Sequence, residues 1–308
     1  MTAASGSRAG LAVAIMLVTP LLFSTNLVFG RMVVEEVAPF TLAFVRWTCV
    51  AIALLPFALR LREDARGAAA ANWRLILLLG FLGMVVCGGG VYLGLQHTTA
   101  TNGALIYATS PVIIILIEAL SFGRRIAVRE AVGSALAFAG VAVIVLRGDP
   151  GTLAALDFNP GDLLIFAAAI CWAAYGVLYR SPGLSGVPGM GLFALIAIAG
   201  AALNLPVALW EFTSGGGLPM TPRAWSGLAG IVLFASLLAY SGFQFGARTL
   251  GPSLTGIFMY LMPVYGAALA VLLLGETIMP YHIAGIALVL SGISLATFPT
   301  GLLRRRSA

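Results

Sequence analysis

Ten apolar runs, each about long enough to cross a bilayer, fill most of this 308-residue chain and fix its fold class. They lie near 10–31, 38–59, 74–96, 102–122, 131–146, 161–179, 190–210, 224–246, 252–274 and 281–303. A spanning helix takes roughly 20 apolar residues, so the runs read as ten transmembrane helices joined by short loops. Charged residues make up 9% of the chain, against about 25% in a soluble domain. The chain is therefore read as an all-α integral membrane protein with no room for an extramembrane catalytic domain. The first run, behind Arg8, exceeds the apolar length of a signal peptide and is read as a retained helix.

The net charge of +6 comes entirely from arginine, for the chain has seventeen arginines and no lysine. Without lysine there is no Walker A phosphate loop and no Schiff base, and no cofactor is expected. With the N-terminus in the cytoplasm, thirteen arginines fall on inside segments, among them Arg60, Arg62, Arg66, Arg124, Arg125, Arg180 and Arg304 to Arg306. Only Arg31, Arg147 and Arg223 fall outside. The positive-inside rule then puts both termini in the cytoplasm, and the basic charge implies lipid contact at the loop from Arg60 to Arg74 rather than nucleic acid. Cys49, Cys87 and Cys171 lie in apolar runs without metal-ligand spacing and read as buried free thiols. His97 and His282, both at outer span ends, read as interface residues, and no metal site is expected.

Sliding the chain against itself reveals a repeat. At an offset of 152, Gly90, Gly94, Pro111, Gly123, Gly133 and Gly140 fall on Gly242, Gly246, Pro263, Gly275, Gly285 and Gly292. At 149, Phe23, Asn26 and Arg31 fall on Trp172, Tyr175 and Arg180. Each half, 1–155 and 156–308, thus holds five helices. Five is odd, so the second half enters the membrane from the opposite face, an inverted repeat of the kind found in transporters that alternate access around a central site. One chain carries both halves, so a monomer suffices.

The stretch from Leu42 to Pro56, the pair of stretches Tyr92 to Pro111 and Phe243 to Pro263, Gly161-Asp162 with Cys171-Trp172-Ala173 downstream, and Leu274-Gly275-Glu276 together resemble the EamA repeat of the drug/metabolite transporter superfamily. The resemblance covers nearly the whole chain, and is nearer to the superfamily's ten-helix metabolite and amino-acid exporters than to its four-helix multidrug dimers. It implies a ten-helix basket around a central cavity that passes small solutes across the cytoplasmic membrane. One departure is Gly123-Arg124, where the family often has Gly-Glu; a cytoplasmic position accounts for it.

Polar and aromatic residues within spans are the candidates for a solute site. Arg46 is the one arginine well inside a span, where a charge costs roughly 2.5–3.5 kcal/mol on insertion scales. It either meets a substrate carboxylate or a gate, or ties helices together through backbone carbonyls. Glu118, the one acid well inside a span, either couples protons or pairs with Arg125, seven residues on. Pro111 and Pro263 occupy matching mid-span positions and free the carbonyls of Tyr107 and Met259, which either face a cavity or accompany a simple kink. Pro20 marks a further kink, and Gly88, Gly89 and Gly90 weaken a helix where bending would serve gating. Gly90 with Gly94, and Gly242 with Gly246, have the spacing of close helix packing. Trp172, Tyr175 and Tyr179 form one stripe, while Tyr240 and Gln244 share a face. With Asn26, Tyr92, Tyr107 and Tyr260 they complete the candidate substrate-contacting set, each with simple packing as its alternative.

A membrane enzyme is disfavoured: there is no His-Glu-x-x-His, no Asp well inside a span and no acid pair for a metal. A carrier is expected, with small metabolites and above all amino acids as substrates. Other metabolites or hydrophobic drugs are the first alternative, and a channel or passive scaffold the second.

Overall fold

The computed structural model describes residues 2–30, 32–154, 159–215, 217–218, 221–274 and 277–297. Arg31, the junction of the halves at 155 and 156, Gly275, Glu276 and Arg304 to Arg306 lie outside that set. Ten helices among the described residues are long and apolar enough to span a membrane: α1 (Arg8–Gly30), α2 (Pro39–Leu59), α3 (Trp73–Leu95), α4 (Thr101–Phe122), α5 (Val128–Val145), α6 (Pro160–Leu178), α7 (Gly189–Thr213), α8 (Pro222–Thr249), α9 (Pro252–Leu269) and α10 (Pro280–Thr297).

Proline opens five of these helices, at Pro39, Pro160, Pro222, Pro252 and Pro280, where its missing N–H would be unpaired anyway. Asn159 and Asp162 form a reciprocal capping box on α6, and Thr221 caps α8. Ala38 has no side chain to cap α2. Glu211 of α7 replaces it, accepting from the N–H groups of Phe40 and Thr41 (3.1 and 2.7 Å) and from the Thr41 hydroxyl (2.9 Å). Glu211→Ala is accordingly expected to cost about 1–2 kcal/mol, the range of a lost helix cap, read as a lower melting temperature of the purified protein, with Glu211→Gln in between.

The packing follows the repeat. Helix α1 lies against α8 and α9, and α6 lies against α3 and α4, so each half lends its first helix to the other half's third and fourth. Helix α2 packs on its mate α7, and α5 on its mate α10. The α5–α10 seam is built on glycine: a Cβ at Gly140 would stand 2.7 Å from the Gly285 carbonyl oxygen, and one at Gly292 2.5 Å from that of Gly133. Gly94 against Ile165 and Gly246 against Met16 repeat one contact in the two halves. Gly90 meets only atoms of its own helix, so the close-packing role of that pair falls to Gly94 alone.

Helices α3 and α8 both turn π-helical in mid-span, over Phe81–Gly90 and Ile231–Leu238, a form concentrated at functional sites. Side chains serve the loosened backbone, from other helices in α3 and from the same helix in α8. The Gly83 carbonyl accepts from the Tyr240 hydroxyl (3.0 Å), the Met84 carbonyl from Asn204 Nδ2 (3.3 Å), and the Ile231 carbonyl from Ser236 Oγ (2.8 Å). Gly88 and Gly89 face α2, where a Cβ on Gly89 would stand 2.4 Å from the Phe40 ring. Their smallness is used for packing as well as for the π turn. Helix α1 runs unbroken through Pro20. At Pro111 and Pro263 the helices do break, ending at Tyr107 and Phe258 and resuming at Ser110 and Leu261.

Candidate substrate cavity

A cavity of about 750 Å3 occupies the centre of the bundle. Its wall draws on both packing groups, with Asn26 and Phe23 of α1, Tyr240 of α8 and Tyr260 of α9 facing Tyr92, Tyr107 and Trp172 of α3, α4 and α6. Pro111 and Pro263 both line it, so the paired breaks lie at the cavity. The wall reaches Gly30, Val37, Leu95 and Gln96 at the arginine-poor end, and no described lining residue lies in the loops of the arginine-rich end.

Arg46 is the one charged residue among the described lining residues, and it is 5% exposed. Its Nε donates to Ser236 Oγ (2.6 Å), one terminal nitrogen to the Ala235 carbonyl (3.1 Å) and the other to the Tyr92 hydroxyl (3.4 Å). No carboxylate lies within ion-pairing distance of it among the described residues. The guanidinium therefore holds the π-helical turn of α8 and also faces the cavity, combining both readings of its role. The Tyr92 hydroxyl in turn donates to Asn26 Oδ1 (3.0 Å).

Three lining rings make the apolar floor: Phe23, Trp172 and Tyr240, with centroids 5.4–5.6 Å apart and planes steeply inclined. Phe23 and Trp172 are repeat mates, so the pseudo-twofold relation passes through this contact. Below it, Tyr175, Tyr179 and Gln244 do not line the cavity, contrary to their place in the candidate set. Their polar groups are consumed by one another. Gln244 Nε2 donates to the Tyr175 hydroxyl (2.7 Å), and the Tyr179 hydroxyl donates to Gln244 Oε1 (3.1 Å). Arg248 covers the Tyr179 ring at 5.0 Å. Because Asn26 matches Tyr175 and Tyr92 matches Gln244, the bonds Asn26–Tyr92 and Tyr175–Gln244 are one contact repeated at two levels.

Glu118 pairs differently from the expectation. Gly123 turns left-handed (φ 61°) and ends the helix, so the seven-residue helical spacing to Arg125 is never realised. Instead the Glu118 carboxylate accepts from the N–H (3.2 Å) and hydroxyl of Ser253 and lies 3.7 Å from Arg124 and 3.9 Å from Arg180. Arg124 also forks onto Glu130 (2.7 and 2.8 Å), and the hydrogen bond to Glu130 raises the Arg124 pKa above its ordinary value. This network joins α4, α5, α9 and the turn that follows α6 at the arginine-rich end, where the cavity stops.

Two other residues singled out in the sequence have local partners. The Met259 carbonyl accepts from the Met262 N–H (2.9 Å), so the break at Pro263 satisfies it locally. His282 accepts from the Met279 N–H on Nδ1 (3.0 Å), a bond at the start of α10. Ser236, which orients Arg46, escaped sequence reasoning because a serine within a span ordinarily bonds its own helix, and its partner is 190 residues away.

The sequence pattern of the EamA-like transporter family matches residues 10–146 and again 159–298. The chain belongs to the EamA-like transporter family. Among its relatives, the uncharacterized transporter YyaM of Bacillus subtilis is 28% identical over 72% of each chain. The uncharacterized inner membrane transporter YedA of Escherichia coli is 27% identical over 90% of this chain and 89% of its own. A probable terminal-alkyne amino-acid exporter of Streptantibioticus cattleyicolor is 26% identical over 79% of each. A solved crystal structure at 22% identity superposes with a TM-score of 0.76, covering 97% of this chain and 99% of its own, and shares the fold. The chain is thus a multi-pass membrane transporter of this family.

Proposed function

We propose that this protein exports small carboxylate-bearing metabolites, amino acids first among them, across the bacterial cytoplasmic membrane by alternating access. The arginine-rich end and both termini lie in the cytoplasm, in keeping with the positive-inside rule. The observation that carries the reading is the repeated polar contact. Asn26–Tyr92 and Tyr175–Gln244 each bridge the group α1, α8, α9 to the group α3, α4, α6, one beside the cavity and one beneath it. Repeat-related contacts at two depths are what two groups of helices need to rock about one central site. The two halves, 1–155 and 156–308, are then the units of sequence, and the helix groups that exchange α1 and α6 are the units of motion.

In the state described, the aromatic layer under Trp172 and the Glu118 network close the cytoplasmic end. Glu118 acts as a latch in this reading rather than as a proton carrier. The amino-acid preference rests on Arg46 as carboxylate partner, on the absence of acids among the described lining residues, which disfavours cations, and on the amino-acid exporter among the relatives. Proteoliposomes loaded with unlabelled amino acid are expected to accumulate labelled amino acid with saturable counterflow and without a pH gradient. A channel or scaffold gives no counterflow, and a strict need for a pH gradient would return Glu118 to proton coupling.

Gln244→Leu removes both tyrosine contacts at the cytoplasmic level. Labelling of Cys87, a cavity-lining thiol, by an impermeant maleimide from the cytoplasmic face is expected to speed up several-fold in this variant. An unchanged rate would deny the contact a gating role.

A further inference from the structure

Resting on the carrier reading, we infer that Ala104 and Gly266 form the outer gate of the cavity. In the opposite state they meet across α4 and α9 as their repeat mates Gly256 and Ile114 meet in the state described. At the offset of 152, Ala104 falls on Gly256 and Ile114 on Gly266. The breaks at Pro111 and Pro263 divide each helix into an outer and a cytoplasmic arm. In α4 these are Ala100–Tyr107 and Ser110–Phe122, and in α9 Leu261–Leu274 and Pro252–Phe258. The cytoplasmic arms pack on one another. A Cβ at Gly256 would stand 2.8 Å from Ile114 Cδ1, and Ile114 is fully buried. The isoleucine is seated in the space that the glycine leaves.

The outer arms carry the matching pair with the contact missing. Ala104 and Gly266 both line the cavity, and a Cβ at Gly266 would find no atom within 4 Å. The helices behind them differ in the same way. Val141 and Ile144 of α5, which packs on both outer arms, line the cavity. Their repeat mates Ile293 and Ala296 of α10 are buried and do not line it. One arrangement of two arms is therefore open at one end of the cavity and closed at the other. Exchanging the two arrangements between the halves gives the opposite state of an inverted repeat, and it places Ala104 against Gly266. Neither residue has a side chain larger than a methyl group, so the two backbones can approach closely. Helices α4 and α9 belong to different helix groups, so this contact forms and breaks as the groups rock.

The test is disulfide crosslinking in the full-length protein with Cys49, Cys87 and Cys171 replaced by serine. A disulfide needs Cβ atoms about 3.5–4.5 Å apart. Ala104→Cys with Gly266→Cys thus reports closure of the outer arms, and Gly256→Cys with Ile114→Cys closure of the cytoplasmic arms. Both pairs are expected to crosslink under mild oxidation, each crosslink stopping counterflow until it is reduced. Gln244→Leu is expected to raise the rate at the outer pair several-fold and to lower that at the cytoplasmic pair. An outer pair that never crosslinks while the cytoplasmic pair does, rates that fail to move in opposite directions, or full counterflow in the crosslinked outer pair would each overturn the gate. Opposite rate changes in a protein without counterflow would overturn the carrier reading only, and counterflow without an outer crosslink would spare the carrier and remove the gate. Should the cysteine pairs not fold, Gly266→Phe decides. With a ring between the outer arms, this variant is expected to lose counterflow while Cys87, in the cavity wall, stays open to an impermeant maleimide from the arginine-poor face. Counterflow at the parental rate in Gly266→Phe would overturn the gate.

Discussion

Arg46→Ala is expected to lower solute counterflow at least tenfold while the melting temperature of the purified protein stays level or rises. The two effects have opposite signs because the arginine is a stability cost retained for its chemistry. A charge in mid-span costs roughly 2.5–3.5 kcal/mol, and Arg46 has no carboxylate among the described residues to offset it. Its bonds to Ser236 and the Ala235 carbonyl return part of that cost, but neither serine nor a helical carbonyl is left stranded by alanine, since Ser236 also bonds the Ile231 carbonyl. Loss of a hydrogen bond to a charged partner costs about 1.5–3 kcal/mol, or about tenfold or more in binding. Parallel losses of transport and melting temperature would show Arg46 to be a helix tie alone.

The second large effect is expected at the α5–α10 seam. Alanine for glycine within an exposed helix ordinarily gains about 1 kcal/mol, and Gly67, with open space around its Cβ position, should follow that rule in its surface helix. Gly292 should reverse it. Its Cβ would stand 2.5 Å from the Ala137 nitrogen and the Gly133 carbonyl oxygen, backbone atoms that can retreat only if the helices part. Overpacking of this kind costs about 1–3 kcal/mol, and leucine more than alanine. Gly292→Leu is therefore expected to abolish the monodisperse folded fraction, Gly292→Ala to lower its melting temperature, and Gly67→Ala to leave it level or higher. A Gly292→Ala protein as stable as the parent would mean that the seam is not close-packed. The repeat mates Gly133, Gly140 and Gly285 should behave alike, because the same contact is used twice across the pseudo-twofold axis.

The spans and their inversion were legible because hydropathy and glycine spacing act at the scale of whole helices. All ten spans among the described residues begin within about three residues of the apolar runs, and the offset of 149 to 152 pairs residues that do meet, such as Phe23 with Trp172. Finer features depend on neighbours that a linear pattern does not name. The π turns of α3 and α8 look like ordinary apolar helix in sequence; they persist because Tyr240, Asn204 and Ser236 serve the displaced carbonyls. The pairing of Glu118 with Arg125 failed for one backbone reason, the left-handed Gly123, which redirects the chain and brings Arg124 inward. The stripe of Trp172, Tyr175 and Tyr179 was correctly one face, but the face runs along the membrane normal. Its first member lines the cavity and the other two form the layer beneath.

Alternating access requires that one cavity be reached from each side of the membrane in turn. Cys87 lines that cavity and reports on it directly once Cys49 and Cys171 are replaced by serine. An impermeant maleimide applied to sealed, oriented vesicles should label Cys87 from either face, and a transported solute should protect it from both. Labelling from the arginine-poor face alone, unaffected by any solute and by Gln244→Leu, would contradict alternating access and leave a one-sided pocket.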